Sequence, residues 1–218
     1  MCIRDRPIQT FTHIVKVGDQ IGNFYGFKVV DIDDSGKWIY ETPDGERKSY
    51  TEFSHATEDK QVLGNGLPKW YGAWNNNFRY KNFDLGVTMR GAFNYKILNF
   101  DRMYLENPTI TNYNRLASSQ DLVYGKSELT APLEFNSYYL EDGDFWKIDN
   151  ITLGYTFNKV GKYISSARIY GATQNTFLIT KYKGIDPEVD RGGLAPGNDY
   201  RDKYPTARTF TLGIDVTF

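Results

Sequence analysis

From Arg208 to Phe218 the chain alternates without a break. Phe210, Leu212, Ile214, Val216 and Phe218 share one parity, and Thr209, Thr211, Gly213, Asp215 and Thr217 share the other. Side chains on a strand alternate faces with period two, so the segment predicts a strand with one wholly apolar face and one small or polar face. A strand crossing the hydrocarbon of an outer membrane takes about 9–11 residues with this pattern. A half-buried strand of a soluble antiparallel sheet alternates in the same way, so this stretch alone leaves both readings open.

Residues 67–93 are the next regular region. Trp70, Gly72, Trp74, Asn76, Phe78 and Tyr80 fall on one face of a predicted strand, with Tyr71, Ala73, Asn75, Asn77 and Arg79 opposite. After Lys81 and Asn82 the apolar parity switches from even to odd: Phe83, Leu85, Val87, Met89, Gly91 and Phe93 face away from Asp84, Gly86, Thr88, Arg90, Ala92 and Asn94. A two-residue hairpin loop at Lys81-Asn82 pairs Tyr80 with Phe83 on one face and demands that switch. The polar face then carries Arg79, Asp84 and Arg90, which suits a wet lumen better than a second apolar layer. Phe145–Phe157 predicts a further strand, with Ile151, Leu153, Tyr155 and Phe157 apolar and Asn150, Thr152, Gly154 and Thr156 polar. Ala167–Thr180 is rich in β-formers, but its weaker alternation assigns no apolar face.

The remaining stretches lack a sustained period. Residues 14–67 read as a long loop bearing one or two small hairpins, with a turn at Asp31–Gly36, a short strand at Lys37–Thr42 and a turn at Pro43–Gly45. Residues 97–144 and 181–207 read as long loops. Connections therefore alternate long, short (81–82), long, short (158–166), long. In an antiparallel sheet that sorts every long loop to one end and every short turn to the other. Outer-membrane barrels have this asymmetry, with long extracellular loops and short periplasmic turns. Long structureless loops are uncommon in compact soluble domains.

Composition fits without deciding. The 218 residues include 17 Tyr and 14 Phe, as the aromatic girdles of a barrel would need. Net charge is -1, which offers no basic field for nucleic acid. No run of about 18 apolar residues predicts a membrane helix. Cys2 is the single cysteine, so an internal disulfide and a cysteine metal site are both excluded. Met1–Pro7 lacks the apolar core of a signal peptide and reads as translated adaptor sequence, outside the native protein. On that expectation residues 8–218 belong to the C-terminal part of a longer chain.

Candidate chemistry is sparse. Asp31, Asp33, Ser35 and Gly36 partly match a calcium loop, but Thr42 stands where the bidentate Glu belongs and no helices flank it. A plain Asp-Gly turn is the favoured reading. Asp186, Glu188 and Asp190 could pair as glycosidase carboxylates, yet they sit in a Pro187 turn with no pocket signal. His13 and His55 are isolated and are expected at the surface. The loop tyrosines 104, 113, 124, 138 and 139 are expected to pack the loops, with stacking on sugar rings as the alternative. No catalytic, cofactor-binding or metal residue is assigned, and no cofactor is expected.

The stretches VGDQIGNFYGFK (17–28), LGNGLPKWYGAWNNNFRYKNFDLGV (63–87), FWKIDNITLGYTF (145–157), QNTFLITKYKGIDPEV (174–189) and YPTARTFTLGIDVTF (204–218) resemble the C-terminal part of SusC/RagA-type TonB-dependent transporters. The resemblance runs from about Val17 to Phe218 in family order. It implies an all-β fold, an antiparallel transmembrane barrel of about 22 strands with a plug in its lumen. About five of those strands, the last, would lie here, in a barrel that this piece does not close. It further implies the outer membrane of a Gram-negative, Bacteroidota-like cell, with the C-terminus periplasmic. Import of a bulky oligosaccharide or peptide would be energised by the TonB complex acting on the plug. A SusD-like surface lipoprotein and outer-membrane lipid would be the partners. This is transport, not catalysis. The alternative is a soluble glycan-binding β-sandwich, whose apolar strand faces would meet in a dry core.

Overall fold

A computed structural model describes residues 7–218; Met1–Arg6, nearly all of the run expected to be adaptor-derived, lie outside the described residues. The chain forms two compact units. One contains Lys69–Asn94, Asp144–Lys181 and Tyr204–Phe218; the other contains the chain up to Pro68, Tyr95–Gly143 and Tyr182–Lys203.

The first unit is one antiparallel sheet of five strands. Trp70–Tyr80, Phe83–Phe93, Phe145–Asn158, Ser166–Thr180 and Thr209–Thr217 lie side by side in chain order. All five expected strands are present. The hairpin pairs Tyr80 with Phe83, and Lys81 takes a positive φ of 52° at the first central position of its turn. Among the described residues the two outer strands, Trp70–Tyr80 and Thr209–Thr217, each have one neighbour, so both edges of the sheet are open there.

Register explains the face that the sequence left unassigned. Directly paired residues of an antiparallel ladder share a face. Leu85 pairs with Leu153, Leu153 with Gly171 and Gly171 with Leu212; Phe83 pairs with Tyr155, Tyr155 with Ile169 and Ile169 with Ile214. The odd residues 167–173 therefore belong to the apolar face, and Gly171 and Thr173 dilute its signal. An irregularity follows: Ile148 pairs with Phe177, Asn150 with Gln174, and Asn175 has a positive φ of 50°. On the 145–158 strand this bulge inserts Asp149 and flips parity, so Trp146 and Ile148 join Ile151, Leu153 and Tyr155 on the apolar side.

The second unit carries the small hairpins expected on 14–67 and adds order that the sequence did not show. The long connections are not independent loops: 14–67 and 97–144 fold together around a shared core of Phe24, Phe27, Trp38, Tyr40, Phe53, Phe135 and Tyr139. Strands of two to five residues, among them Asn23–Gly26, Lys28–Ile32, Gln61–Asn65 and Lys96–Asn99, make three small sheets. Trp38–Glu41 is the short strand expected at 37–42, with Trp38 and Tyr40 inward. Sequence-distant segments are stitched by backbone bonds: Ser137 N–H donates to the Phe27 carbonyl (3.0 Å), Thr130 N–H to Gly36 (2.8 Å) and Leu98 N–H to Gly197 (2.9 Å). A short helix, Phe100–Leu105, is capped by Asn99, whose side chain accepts the Arg102 amide. Among the described residues no helix is long and apolar enough to cross a membrane, which says nothing of strands.

Candidate functional site

The sheet offers two functional faces, set by alternation and register. On its apolar side Phe83, Phe210 and Leu212 are 51%, 73% and 89% exposed. Trp74, Phe78, Leu153, Ile169, Phe177, Ile179 and Ile214 on the same side are also exposed. A dry sandwich core, the expectation of the alternative fold, would bury these residues, so that reading is set aside. Ten residue steps from Phe83 to Phe93, at about 3.4 Å each and tilted about 40°, reach about 26 Å vertically, against an apolar band of about 25 Å in outer-membrane barrels. Aromatic rings gather toward both ends. Tyr80, Phe83, Tyr155 and Phe157 lie at the short-turn end, where Phe83 and Phe157 each approach Tyr155 edge-on at 4.7 Å. Trp70, Phe93 and Trp146 lie at the other, with Phe93 and Trp146 stacked at 6.0 Å.

The opposite face holds the charges. Arg168 donates through Nε and Nη2 to the two oxygens of Asp84 (2.9 and 2.6 Å) and through Nη1 to Asp215 (3.2 Å). The bidentate pair crosses the intervening strand above Gly154, where a Cβ would lie 2.5 Å from Asp84 Oδ1. Beside it Tyr170 covers Gly213, where a Cβ would lie 2.4 Å from the ring. The guanidinium of Arg168 rests 4.7 Å from the Tyr170 ring centre. Asp149, inserted by the bulge, accepts from Arg90 Nε at 2.6 Å. Asp84, Arg90 and Asp215 were legible as polar-face charges. Arg168, which joins Asp84 to Asp215, was missed because its strand had no assigned face.

In the other unit the expected sites resolve into structure. Asp33 Oδ1 accepts the amides of Ser35 and Lys37 and the Ser35 hydroxyl, while Asp31 accepts Lys126 (2.5 Å) and the Ile32 amide. Burial pushes the Asp33 carboxyl up, but these donors hold it below the usual range; Lys126 lowers Asp31. The Asp31–Gly36 carboxylates thus serve an Asx turn and a cross-loop ion pair. Asp186 accepts the Glu188 amide, Asp190 accepts that of Gly192, and Lys203 Nζ donates to the carbonyls of residues 186 and 188. These carboxylates order the 182–203 segment.

Both histidines depart from the surface expectation. His13 is fully buried: its Nε2–H donates to the Pro196 carbonyl (2.8 Å), Nδ1 meets the Thr12 hydroxyl (2.7 Å), and the ring lies 4.2 Å from Phe24. Burial lowers its pKa to about 4, partly opposed by the Pro196 bond. His55 is half-buried between Glu134 (3.0 Å) and the Tyr50 carbonyl (3.1 Å), among the rings of Phe27, Tyr40 and Phe53. Isolation in sequence said nothing about partners 79 and 183 residues away.

The tyrosines divide. Tyr139 is core and Tyr138 packs on Trp38 (4.9 Å) and on Arg102 (5.0 Å). Arg102 is itself buried, donating to Glu106 (2.9 and 3.0 Å) and Glu141 (2.7 Å). Burial disfavours its charge, but the two carboxylates more than compensate and raise its pKa. Tyr124 is exposed against Tyr138, and Tyr104 and Tyr113 flank Arg201. Among the described residues no group of three or more His, Cys, Asp or Glu side chains is placed to hold a metal.

No family model matches the chain. TonB-dependent receptor P3 of Formosa agariphila is 26% identical over 235 residues, covering 97% of this chain and 23% of that protein. TonB-dependent receptor SusC of Bacteroides thetaiotaomicron is 33% identical over 150 residues, covering 64% of this chain and 14% of that protein. The chain thus spans about a quarter or less of these relatives. The solved structure of the RagAB peptide transporter superposes with a TM-score of 0.78 at 21% identity, covering 97% of this chain and 24% of the matched one. At that identity the likeness speaks for the fold alone.

Proposed function

We propose that the chain is part of a SusC/RagA-type TonB-dependent receptor, to which its curated relatives are similar, and that its sheet is a stretch of outer-membrane barrel wall in a TonB-dependent importer. The exposed apolar face meets lipid, and the face bearing Arg168, Asp84 and Asp215 lines the lumen. Its two open edges pair with further strands of a barrel of about 22, because unpaired backbone groups in lipid cost several kcal/mol each. The long connections are extracellular, and the Lys81-Asn82 and 159–165 turns are periplasmic, with the C-terminus. The importer carries a bulky nutrient, an oligosaccharide or a peptide, and works with the TonB complex and a SusD-like surface lipoprotein. One observation carries the reading most: register collects the apolar residues of all five strands on one exposed side and the charges on the other.

Cysteine accessibility in whole cells tests the orientation. In full-length protein with other cysteines replaced, Asp44→Cys, in an exposed turn of the loop-built unit, is expected to react with a membrane-impermeant maleimide. Lys162→Cys, in the short turn, is expected to react only after the outer membrane is permeabilised. Equal labelling of both in intact cells refutes the assignment.

A further inference from the structure

The loop-built unit contains a cleft of about 690 Å³ between the Phe100–Leu105 helix and Tyr200–Asp202, with Tyr113 on its lip. The rings in it are ordered. Phe100 stacks on Tyr200 at 5.3 Å and 24°, and on Tyr104 at 6.2 Å and 19°. Arg201 lies between two phenols, 4.2 Å from the Tyr104 ring centre and 4.9 Å from that of Tyr113. Stacking fixes the guanidinium plane and leaves its N–H edge free to donate. Half of Tyr113 and half of Tyr200 remain exposed. Asp101 and Asp202 line the same cleft. Burial pushes the Asp101 carboxyl up, and Arg201 opposes it.

Guanidinium donors, carboxylate acceptors and open aromatic faces are together complementary to a sugar ring. Adjacent hydroxyls of a sugar ring both donate and accept, so they match a carboxylate on one side and a guanidinium on the other. The axial C–H face of the ring carries slight positive charge and meets the negative face of a phenol. Two carboxylates against one guanidinium leave the cleft net negative, which disfavours acidic sugars. We propose that this cleft binds a neutral pyranose of an oligosaccharide, with Arg201 and Asp101 on its hydroxyls and Tyr113 or Tyr200 on its ring face. The assignment rests on the importer reading and narrows its substrate to a neutral glycan.

The test is binding of fluorescently labelled oligosaccharides to the full-length transporter in detergent. The probes are maltoheptaose, laminarihexaose and mannohexaose as neutral glycans, hexagalacturonate as an acidic one and a casein peptide digest. At least one neutral probe is expected to bind, tenfold or more tighter than hexagalacturonate. Tyr113→Ala and Arg201→Lys are each expected to weaken it at least tenfold. Arg201→Lys keeps the charge and removes only the planar fork, so the comparison does not depend on a variant that misfolds. The proposal is overturned if no neutral probe binds, if only peptides bind, or if both variants bind the glycan as the unchanged protein does. It is also overturned if the variants lose only capture of the surface lipoprotein, which would make the cleft a protein contact. The maleimide labelling above uses neither glycan nor cleft, so failure of this site is distinguishable from failure of the importer reading.

Discussion

Leu212 provides the sharpest test of what the apolar face touches. Its side chain is 89% exposed, and its paired neighbour on that face is Gly171, whose added Cβ would lie 3.6 Å from Leu212 Cδ2. The residue therefore gives up little protein packing when replaced. In water, Leu212→Arg at so exposed a position is expected to change stability by no more than about 0.5 kcal/mol. In a bilayer, an arginine on the lipid side of a barrel strand costs about 2–4 kcal/mol near the midplane. At about 1.4 kcal/mol per factor of ten, that is a loss of about 30- to 700-fold in the folding equilibrium. Thr211→Arg is the matched control, one residue away and on the polar face. Reversible guanidinium unfolding of the full-length protein in phosphatidylcholine vesicles measures both. The expectation is a large loss at 212 and a change below about 1 kcal/mol at 211. Equal effects at the two positions, or none at 212, would refute the assignment of lipid to this face.

Three further outcomes follow from the loop-built unit and the polar face. The His13 pKa, about 4 in the fold against 6.5 for the free side chain, means that the unfolded chain takes up a proton first as pH falls. Stability from this group is whole above pH 6.5 and drains toward pH 4, by about 3 kcal/mol in all; His13→Gln should flatten that decline, read by fluorescence of the buried Trp38. Arg102→Met strands Glu106 and Glu141 without their cation and should cost about 3–5 kcal/mol in thermal unfolding. Gly213→Val drives a side chain into the Tyr170 ring and should cost about 1–3 kcal/mol in chemical denaturation, whereas Gly45→Ala, with open space around it but a positive φ, should cost about 1 kcal/mol.

What the sequence shows of this molecule follows the length scale of its order. The 83–93 and 209–217 strands each run long enough for alternation to rise above noise, and the parity switch at Lys81-Asn82 marks the hairpin that joins 70–80 to 83–93. The 166–180 strand is equally long, but Gly171 and Thr173 occupy positions where apolar side chains would announce the face. Only pairing with Leu153 and Leu212 reveals it, and Arg168 stays unrecognised with it. In the loop-built unit the strands are two to five residues long, too short for any period. There the core depends on meetings such as Trp38 with Tyr138 and His13 with Pro196, which no local pattern encodes. The tyrosines around Arg201 were visible as residues, but their convergence on one guanidinium belongs to the fold.

The core shared by two of the long segments, and the hydrogen bonds that tie the third to them, limit how such a protein can be diversified. Exchanging one segment with a relative would deliver Phe27 without the Asn136–Ser137 backbone it pairs with, or Leu98 without Gly197. New surface chemistry is therefore gained either by point changes on the rim or by transplanting all three insertions together. A chimera that moves the trio as a set should fold, while single-segment grafts should be degraded during assembly.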